Sequence, residues 1–441
     1  MSANYKYKSR CAKVYSKVLG RVIENIRPDS GILERCSAVA KLIDAEIKKK
    51  RVDAEAILGG SIAKGTFLRN DYDCDVFVKF DFEKYKEKNI SKILKSILNK
   101  FKPKTLNGSR EYFQFFKEKI KFEVVPVLNI KNARDAINVM DVSPLHVDWT
   151  KRRIKKNPRL ADEVRLARAF CKANKVYGAE SFIKGFSGHV IDILTIHYGG
   201  FLNLLKNAEK WGEKEKKEEK AVVDPENYHK GKALFNLNAS KTEGPLVLVD
   251  PVQPDRNAAA SVSKENFEIL VNAAGNFLKN PSEKFFEEKA GIEEEYHKYK
   301  SKNALLKLEV SAFHGKEDVV GCKLLKAFEY IADKLRANDF AVVKKDWSWD
   351  REKKAFFYYV LDKTALKKTA ASKYIIIKGP PMNLKEHAER FRKKHKETFV
   401  KKNILFAKTR RKFLKPEELI KDLKQDKYLR EKVKEIRIIN F

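Results

Sequence analysis

The stretch that decides the fold is Gly59–Asp81, which reads GGSIAKGTFLRNDYDCDVFVKFD. Its Gly-Gly-Ser turn, with Gly60 and Ser61, offers bare backbone N–H groups and a hydroxyl to an anion. Further along, Asp73 and Asp75 stand one residue apart in a hydrophobic strand, and alternate residues of a strand point to the same face. A phosphate cradle beside paired carboxylates is what metal-assisted nucleotidyl transfer requires, because carboxylate oxygens bind Mg²⁺ and Mg²⁺ binds a triphosphate.

The chain carries a large excess of positive charge. Its 441 residues include 94 Lys and Arg against 60 Asp and Glu, which gives a formal net charge of +34. A surplus of this size indicates an anionic partner rather than a particular fold, and nucleic acid is the first partner to expect. The alternative is a basic surface that only keeps the protein in solution. The length allows roughly three domains of about 150 residues each.

The cysteines and the N-terminal stretch favour a cytoplasmic protein. The cysteines are widely scattered and form no CxxC spacing, which disfavours a zinc site and a disulfide framework; they are Cys11, Cys36, Cys74, Cys171 and Cys322. Free thiols suit a reducing cytosol. The basic start MSANYKYKSRCAKVYSKVLG has no apolar core of the kind a signal peptide needs. No apolar run approaches the length of a membrane span, so no membrane partner is expected.

Helices and strands alternate in the first third of the chain. Residues 9–50 show helical spacing of apolar side chains, and Ala54–Leu58 is predicted to be a strand that ends at the glycine turn. Cys74–Phe80 is predicted to be a second strand. In the strand Ile120–Val127, Glu123 lies on the face opposite the apolar residues. Glu123 is therefore a third strand carboxylate in the same α+β unit.

The C-terminal part shows a second α+β pattern followed by a basic segment. From about residue 303 the order strand, helix, strand, strand resembles a small ferredoxin-like sheet. Residues 383–441 are predicted to be largely helical and strongly basic. The densest cluster of positive charge in this segment comprises Lys408, Arg410, Arg411 and Lys412, the candidate RNA-binding residues.

Several motifs together resemble one family, the archaeal class I CCA-adding enzymes, with their polymerase-beta-type nucleotidyltransferase head. The motifs are GGS…DYDCD, FEVVPV and SPLH, then CKANKVYGAESFIKGFSGHVIDILTIHYGGF (Cys171–Phe201) and VDPVQPDRNAAA (Val249–Ala260). The resemblance is close from about Ala54 to Ser263 and extends over the remainder in layout. The pattern GS…DxD alone is also found in poly(A) polymerases and oligoadenylate synthases, whereas YGAE…GFSG together with DPV…RN is much more specific.

The resemblance implies a fold class and a domain order. The fold class is α+β, with a nucleotidyltransferase catalytic head at residues 1–150 and a helical neck or central domain at 151–285. A ferredoxin-like RNA-binding body at 286–382 and a basic helical tail at 383–441 would follow.

The resemblance also implies a catalytic, metal-binding set of carboxylates. Asp73 and Asp75 match an acidic pair that binds metal, where the family often has Glu and then Asp. Glu123 stands where the third carboxylate, usually Asp, belongs. Because Glu is one methylene longer, Glu123 must lie further back or shift the metal that activates the attacking hydroxyl. The implied cofactor is Mg²⁺.

A nucleotide-binding set follows from the same resemblance. Ser61 matches a serine that contacts the triphosphate, and Tyr177 matches a tyrosine that contacts phosphate. Arg168 stands where the family commonly has lysine, and Arg256 matches an arginine that helps to read the incoming base. The full set is Gly60, Ser61, Lys64, His146, Arg168, Tyr177 and Arg256.

Some of these residues also have a purely structural interpretation. His146, which matches a histidine near the nucleotide phosphates, could instead cap a helix or pack in the core. Arg256 could serve only as an ion-pair partner of Asp250 or Asp255. His189 lies on an apolar helix and is predicted to be a core residue.

The implied activity is template-independent addition of CCA to the 3′ end of tRNA from CTP and ATP, with release of pyrophosphate. One alternative is another template-independent RNA nucleotidyltransferase, of the poly(A) polymerase or oligoadenylate synthase type. A second alternative is an inactive relative that only binds RNA, which the departure at Glu123 would favour and the intact Asp73 and Asp75 disfavour. The sequence leaves the oligomeric state open, with a homodimer among the options.

Overall fold

A computed structural model describes residues 3–216, 219–288, 291–298 and 300–440. The chain divides into two compact units, residues 1–289 and residues 290–441. Within the described ranges no helix has both the length and the apolar character to cross a membrane. The finer division into head, neck, body and tail stays a prediction.

A five-stranded mixed sheet in the first unit carries the three candidate carboxylates. Its strands follow the order β1-β2-β5-β4-β3, in which β2 and β5 are parallel and the other neighbours antiparallel. The strands are β1 (Ala54–Leu58), β2 (Cys74–Asp81), β3 (Lys104–Asn107), β4 (Glu111–Lys117) and β5 (Ile120–Asn129). The strands predicted from the hydrophobic pattern are therefore confirmed.

One face of this sheet is covered by helices, and the other carries the carboxylates. Cys74, Val76 and Val78 of β2 are buried in one core with residues of the helices on that side. Those helices are α2 (Gly31–Lys49) and α5 (Ile90–Ile97). The alternate residues of β2, which include Asp75, point to the opposite face. The longer α1 (Ala3–Ile26) is separate from α2, so the continuous helical pattern of residues 9–50 breaks at Arg27-Pro28, as proline favours.

The remainder of the first unit is largely helical. An aromatic core that includes Phe170, Phe201 and Phe277 holds its main helices together. The further helices are α3 (Gly60–Lys64), α4 (Phe82–Tyr85), α6 (Ser143–Lys156), α7 (Leu160–Ala173), α8 (Gly188–His197), α9 (Phe201–Lys216), α10 (Ala233–Asn236) and α11 (Lys264–Lys279). A small parallel pair completes it, β6 (Ala221–Val223) and β7 (Leu246–Leu248).

The second unit contains a ferredoxin-like sheet. Its four antiparallel strands follow the order β14-β8-β10-β9, and a long helix and a shorter one pack into the same core. The elements are β8 (Asn303–Ser311), β9 (Val342–Trp349), β10 (Lys354–Asp362) and β14 (Glu435–Asn440), with α13 (Glu317–Ala337) and α16 (Pro416–Leu423). A short α12 (Ile292–Tyr296) precedes them, and α17 (Lys427–Arg430) lies between α16 and β14. The sheet has a ferredoxin-like strand order, but its last strand lies at the C-terminal end, outside the predicted range 286–382.

The prediction that residues 383–441 are largely helical is wrong. An insertion between β10 and α16 forms a separate antiparallel sheet of order β11-β13-β12. It consists of α14 (Lys363–Ala371), β11 (Tyr374–Pro381), α15 (Lys385–Lys394), β12 (Glu397–Lys401) and β13 (Ile404–Arg410). The dense lysines and arginines of these strands lie on exposed positions, and they conceal the short alternating apolar pattern that marks a strand.

Candidate active site

The three predicted carboxylates come together at one end of the five-stranded sheet. Asp75 of β2 is paired in register with Glu123 of the parallel strand β5. Asp73 directly precedes β2 and lies on the same side, because the ammonium of Lys121 contacts both Asp73 at 2.6 Å and Glu123 at 3.4 Å. The three side chains thus lie on one face of the sheet, as strand alternation predicted.

The glycine turn lies directly against the second carboxylate. Gly59 donates its N–H to the Asp75 carbonyl at 2.7 Å. Gly60 has φ +53°, and a Cβ at this position would fall 1.6 Å from Oδ2 of Asp75. Only glycine fits such a position, both for its backbone conformation and for the close approach. The turn that was predicted to cradle phosphate therefore adjoins the predicted metal ligands, with Ser61 in the first turn of α3.

The carboxylates repel one another electrostatically. Burial, followed by the charge of Glu123, raises the pKa of Asp75 to about 7. Lys64 and Lys121 act in the opposite direction but do not compensate fully. A group of carboxylates that repel one another in a partly buried position is what a divalent cation relieves, and the hard oxygen donors suit Mg²⁺.

Two residues outside the predicted set support Glu123. Gln114 of β4 lies opposite Glu123 in register and donates from its side-chain amide to Oε1 at 3.1 Å. Lys121, two residues before Glu123 on the same strand, holds Asp73 and Glu123 together by charge. The alternation of β5 places Lys121 on the carboxylate face, but the sequence does not show that its side chain turns toward the carboxylates.

A buried ion-pair cluster unites two of the predicted phosphate ligands. Asp192 of α8 is completely buried, at 0% exposure, and accepts from Lys64 at 2.6 Å and from the Arg168 guanidinium at 2.7 and 3.2 Å. Burial alone would raise the pKa of Asp192, but Arg168 and Lys64 outweigh it and hold that pKa below its usual value. Two cations against one anion leave a surplus of positive charge. Tyr177 lies beside this cluster, since a Cβ on Gly188 would be 2.9 Å from its hydroxyl and 3.4 Å from Arg168.

A second cluster is centred on Asp250 in the DPV motif. Its buried carboxylate receives hydrogen bonds from Nε2 of His146 at 3.1 Å, from Nε2 of His189 at 3.2 Å and from Arg256 at 2.9 Å. The backbone N–H groups of Val252 and Gln253 add two more. Burial alone would raise the pKa of Asp250, but the two histidines hold it well below its usual range.

The geometry of this cluster tests the structural interpretations of Arg256, His146 and His189. Arg256 does pair with Asp250, yet 48% of its side chain is exposed, so its outer edge can still contact a ligand. His146 faces this cluster rather than the apolar core. His189 shares the same carboxylate, although it was predicted only as a core residue, and burial lowers its pKa to about 4.

The Asp250 cluster is also a possible metal site. The ligand atoms of His146, His189 and Asp250 lie within 4.8 Å of one another. Five hydrogen bonds already saturate the Asp250 oxygens, one of them from the cationic Arg256. This crowding by donors favours a hydrogen-bonding centre over a metal centre.

The basic patch of the second unit needs one correction. Lys408 and Arg410 are exposed on β13, and Lys412 is exposed beside it in an ion pair with Asp422. Arg411 is buried instead, with its guanidinium donating to the Asn338 carbonyl at 2.8 Å and to Asp339 at 2.6 Å. Arg411 ties the inserted sheet to the end of α13, so it is a structural residue and not part of an RNA-binding surface.

Comparison with known proteins shows which family the chain resembles. Three family models match: "Nucleotidyltransferase domain" at residues 40–146, "tRNA nucleotidyltransferase, second domain" at 162–287, and "CCA-adding enzyme, C-terminal domain" at 304–437. The CCA-adding enzyme of Nanoarchaeum equitans is 33% identical over 79% of this chain and 82% of its own length. That of Methanocaldococcus jannaschii is 31% identical over 92% of this chain and 90% of its own.

A solved structure gives independent support for the fold alone. Cid1 in complex with its short product ApU aligns with a TM-score of 0.50 at 14% identity, over 63% of this chain and 99% of that chain. Its likeness to this protein is consistent with the nucleotidyltransferase-type sheet described above. From the carboxylate site, the three matched families and the relatives together, the chain belongs to the family of archaeal CCA-adding enzymes, the tRNA nucleotidyltransferases.

Proposed function

We propose that this protein adds CCA to the 3′ end of tRNA, using CTP and ATP and no nucleic-acid template. The observation that carries the proposal is the register pairing of Asp75 with Glu123 directly beside the Gly60 turn, in a chain that matches CCA-adding relatives over most of its length. In the reaction, the terminal 3′ oxygen of the RNA forms a bond to the α-phosphorus of the nucleotide. The bond between that phosphorus and the leaving pyrophosphate breaks.

Asp73, Asp75 and Glu123 would hold divalent metal, for which Mg²⁺ is the best fit to an all-carboxylate donor set. The fit is supported by the pairing of Asp75 with Glu123: burial and the charge of Glu123 raise the pKa of Asp75, and a divalent cation would offset that repulsion. Bound there, the metal supplies charge neutralisation and acidifies the attacking hydroxyl. Glu123, which accepts a hydrogen bond from Gln114, would complete the ligand set from the β5 side.

The triphosphate would lie between the glycine turn and the Asp192 cluster. The Gly60 turn and Ser61 present backbone and hydroxyl donors, and Lys64 and Arg168 present positive charge. Since Asp192 neutralises only one of the two cations, the surplus charge attracts an anion. Tyr177, beside Arg168, would add a hydroxyl donor to a phosphate oxygen.

The incoming base would face the Asp250 cluster. Asp250 fixes the guanidinium of Arg256 from one side, which leaves a planar set of donors at its exposed edge. His146 is held by the same carboxylate and would lie near the nucleotide phosphates. A fixed guanidinium rejects a base that cannot offer matching acceptors, because its own donors would then stay unpaired.

The experiment that tests the proposed activity uses tRNA that lacks its three terminal nucleotides. With CTP, ATP and Mg²⁺, the purified protein is expected to extend it by CCA and then to stop. Long homopolymer tails from ATP alone would support a poly(A) polymerase instead. Tight RNA binding without any pyrophosphate release would support an inactive relative.

The cysteines bear on the compartment of the protein. The free, buried thiols of Cys36, Cys74 and Cys171 fit a reducing environment, and we place the protein in the cytoplasm with tRNA, ATP and CTP. The homodimer stays a prediction.

We further propose that the open face of the inserted sheet binds the tRNA. Lys408 and Arg410 share this face with aromatic rings, of which Tyr374 and Phe399 are exposed: Lys408 lies 4.6 Å above the ring of Tyr374, and Phe399 stacks on the partly buried Phe406. Cations beside exposed aromatic side chains are typical of surfaces that bind RNA through phosphates and stacking.

A double substitution, Lys408→Gln with Arg410→Gln, is expected to weaken tRNA binding and to flatten its dependence on salt. Each lost phosphate contact should reduce the log–log slope by about 0.7–0.9. Binding is measured by filter retention over a range of salt concentrations. The matched control is Lys49→Gln with Lys50→Gln, two exposed lysines at the end of α2. An unchanged slope in the first variant would move the RNA path off this sheet.

A further inference from the structure

A large aromatic side chain stands exposed on the carboxylate face of the catalytic sheet. Phe116 lies on β4, two residues after Gln114, so both side chains project from the same face. That face is the catalytic one, because Gln114 bonds Glu123 across the strands. Phe116 is 70% exposed, and its pair with Lys121 is the last but one before the hairpin turn at Glu118 and Lys119.

The position of Phe116 relative to the carboxylates is defined by strand register. Phe116 lies opposite Lys121, and Lys121 contacts Asp73 and Glu123. Cross-strand neighbours have Cβ atoms about 5 Å apart. The ring therefore lies beside Lys121 and diagonally across from Glu123, on the β4 side of the carboxylates, whereas the glycine turn and α3 lie against β2 on the other side.

The chemistry of the transfer assigns a substrate to each side. Attack on the α-phosphorus proceeds in line, with the incoming oxygen opposite the leaving pyrophosphate. Gly60, Lys64 and Arg168 lie on the β2 side and would retain the pyrophosphate. The attacking 3′ end of the RNA must then arrive from the β5 and β4 side, where Phe116 is exposed.

We propose that Phe116 is the stacking platform for the base of the RNA's 3′-terminal nucleotide, a positioning residue that aligns the attacking hydroxyl. This inference rests on the proposed function of the carboxylate site. Stacking on an aromatic face is tolerant of base identity, because every base has a π face. Such tolerance suits an acceptor whose last base changes after each addition.

The test measures kcat/KM for the first nucleotide added to tRNA that lacks CCA, in wild type and in Phe116→Ala. The substitution is expected to lower kcat/KM by about 5- to 150-fold, the range that one stacked base contributes. Phe116→Trp should restore most of the loss. Nucleotide affinity, measured separately in the absence of RNA, should stay unchanged. Leu42→Ala is the matched control, since Leu42 is also an exposed apolar residue but lies on α2, which covers the opposite face.

A second substrate separates stacking from other effects of the ring. On tRNA whose terminal nucleotide is abasic, wild type should already be slow, and Phe116→Ala should cause little further loss. An equal loss on normal and abasic RNA would overturn the inference, as would unchanged kcat/KM on normal RNA. Either result leaves the proposed activity standing, whereas absence of any addition by the wild type would refute the activity itself.

Discussion

Replacing Asp75 by asparagine is expected to abolish nucleotide addition while tRNA binding is retained. Asparagine has the same shape, so the close packing of Gly60 against this side chain is preserved. The substitution removes one charged ligand from the metal site, which should cost roughly 4 kcal/mol of transition-state stabilisation or more, a factor of about 10³ in rate. The measurements are single-turnover incorporation of CTP and binding of Mn²⁺ followed by electron paramagnetic resonance.

The matched control is Asp81→Asn on the same strand. Asp81 accepts from the backbone N–H of Lys84 as the N-cap of α4, a role that asparagine also fills. This variant should keep both activity and Mn²⁺ binding. Turnover of Asp75→Asn at near the wild-type rate would move the metal site elsewhere.

The same substitution should stabilise the metal-free protein at alkaline pH. The pKa of Asp75 is about 7 in the folded protein against an ordinary value of 3.8, so the folded wild type loses stability as pH rises between these values. The loss is complete above pH 7, and asparagine avoids it. In EDTA the melting temperature of Asp75→Asn is expected to exceed that of wild type at about pH 8, with a smaller difference at about pH 5. A melting temperature of Asp75→Asn below that of wild type at about pH 8 would contradict the raised pKa of Asp75.

Local sequence pattern predicted only part of the carboxylate site. Asp73 and Asp75 flank Cys74 at the start of an apolar strand, and strand alternation alone assigns both to one face. Glu123 follows by the same rule within its own strand. In the structure β2 and β5 pair in parallel, with Asp75 opposite Glu123. The alternation within each strand does not predict this long-range pairing. The resemblance to a known family implied only that Glu123 belongs with Asp73 and Asp75, and the pairing of their strands was not predicted.

The two carboxylates that organise the site were harder to predict. Asp192 lies in the apolar helical run HVIDILTIH, where it resembles an isolated polar residue in a core segment. Its partners Lys64 and Arg168 come from α3 and α7, so the cluster exists only in the folded chain. Asp250 had a visible signal in the DPV motif, but its pairing with both histidines depends on α6 and α8 lying side by side.

In the C-terminal segment the amino-acid composition led to a wrong prediction of secondary structure. Exposed lysines and arginines dominate residues 383–441, and a high density of charge resembles a solvated helix. Strand pairing nevertheless needs only alternate apolar residues, as Leu405 and Ala407 show on the buried side of β13. Arg411 is buried as well, in a pair with Asp339. A count of charges did not reveal this, because it does not distinguish a buried, paired arginine from an exposed one.

Replacing Asp192 by asparagine is expected to destabilise the first unit by about 3 kcal/mol or more, because it leaves Lys64 and Arg168 buried without their anion. If these cations also hold the triphosphate, pyrophosphate should replace the lost charge. Added pyrophosphate is therefore expected to raise the melting temperature of Asp192→Asn by more than it raises that of wild type. The KM for CTP should change as well, because the two cations lose their fixed positions.

Asp141→Asn provides the comparison that separates the two roles of Asp192. Asp141 is equally buried and pairs with Arg110 at 2.5 Å, but it also accepts from the backbone N–H groups of Leu128 and Asn138 and belongs to the short 3-10 helix before α6. Its replacement should destabilise the protein without any extra response to pyrophosphate. An equal response in both variants would mean that pyrophosphate stabilises the fold in general. Asp192 would then be a structural anion, and the triphosphate would have to be held by the glycine turn and the metal site without the Lys64 and Arg168 pair.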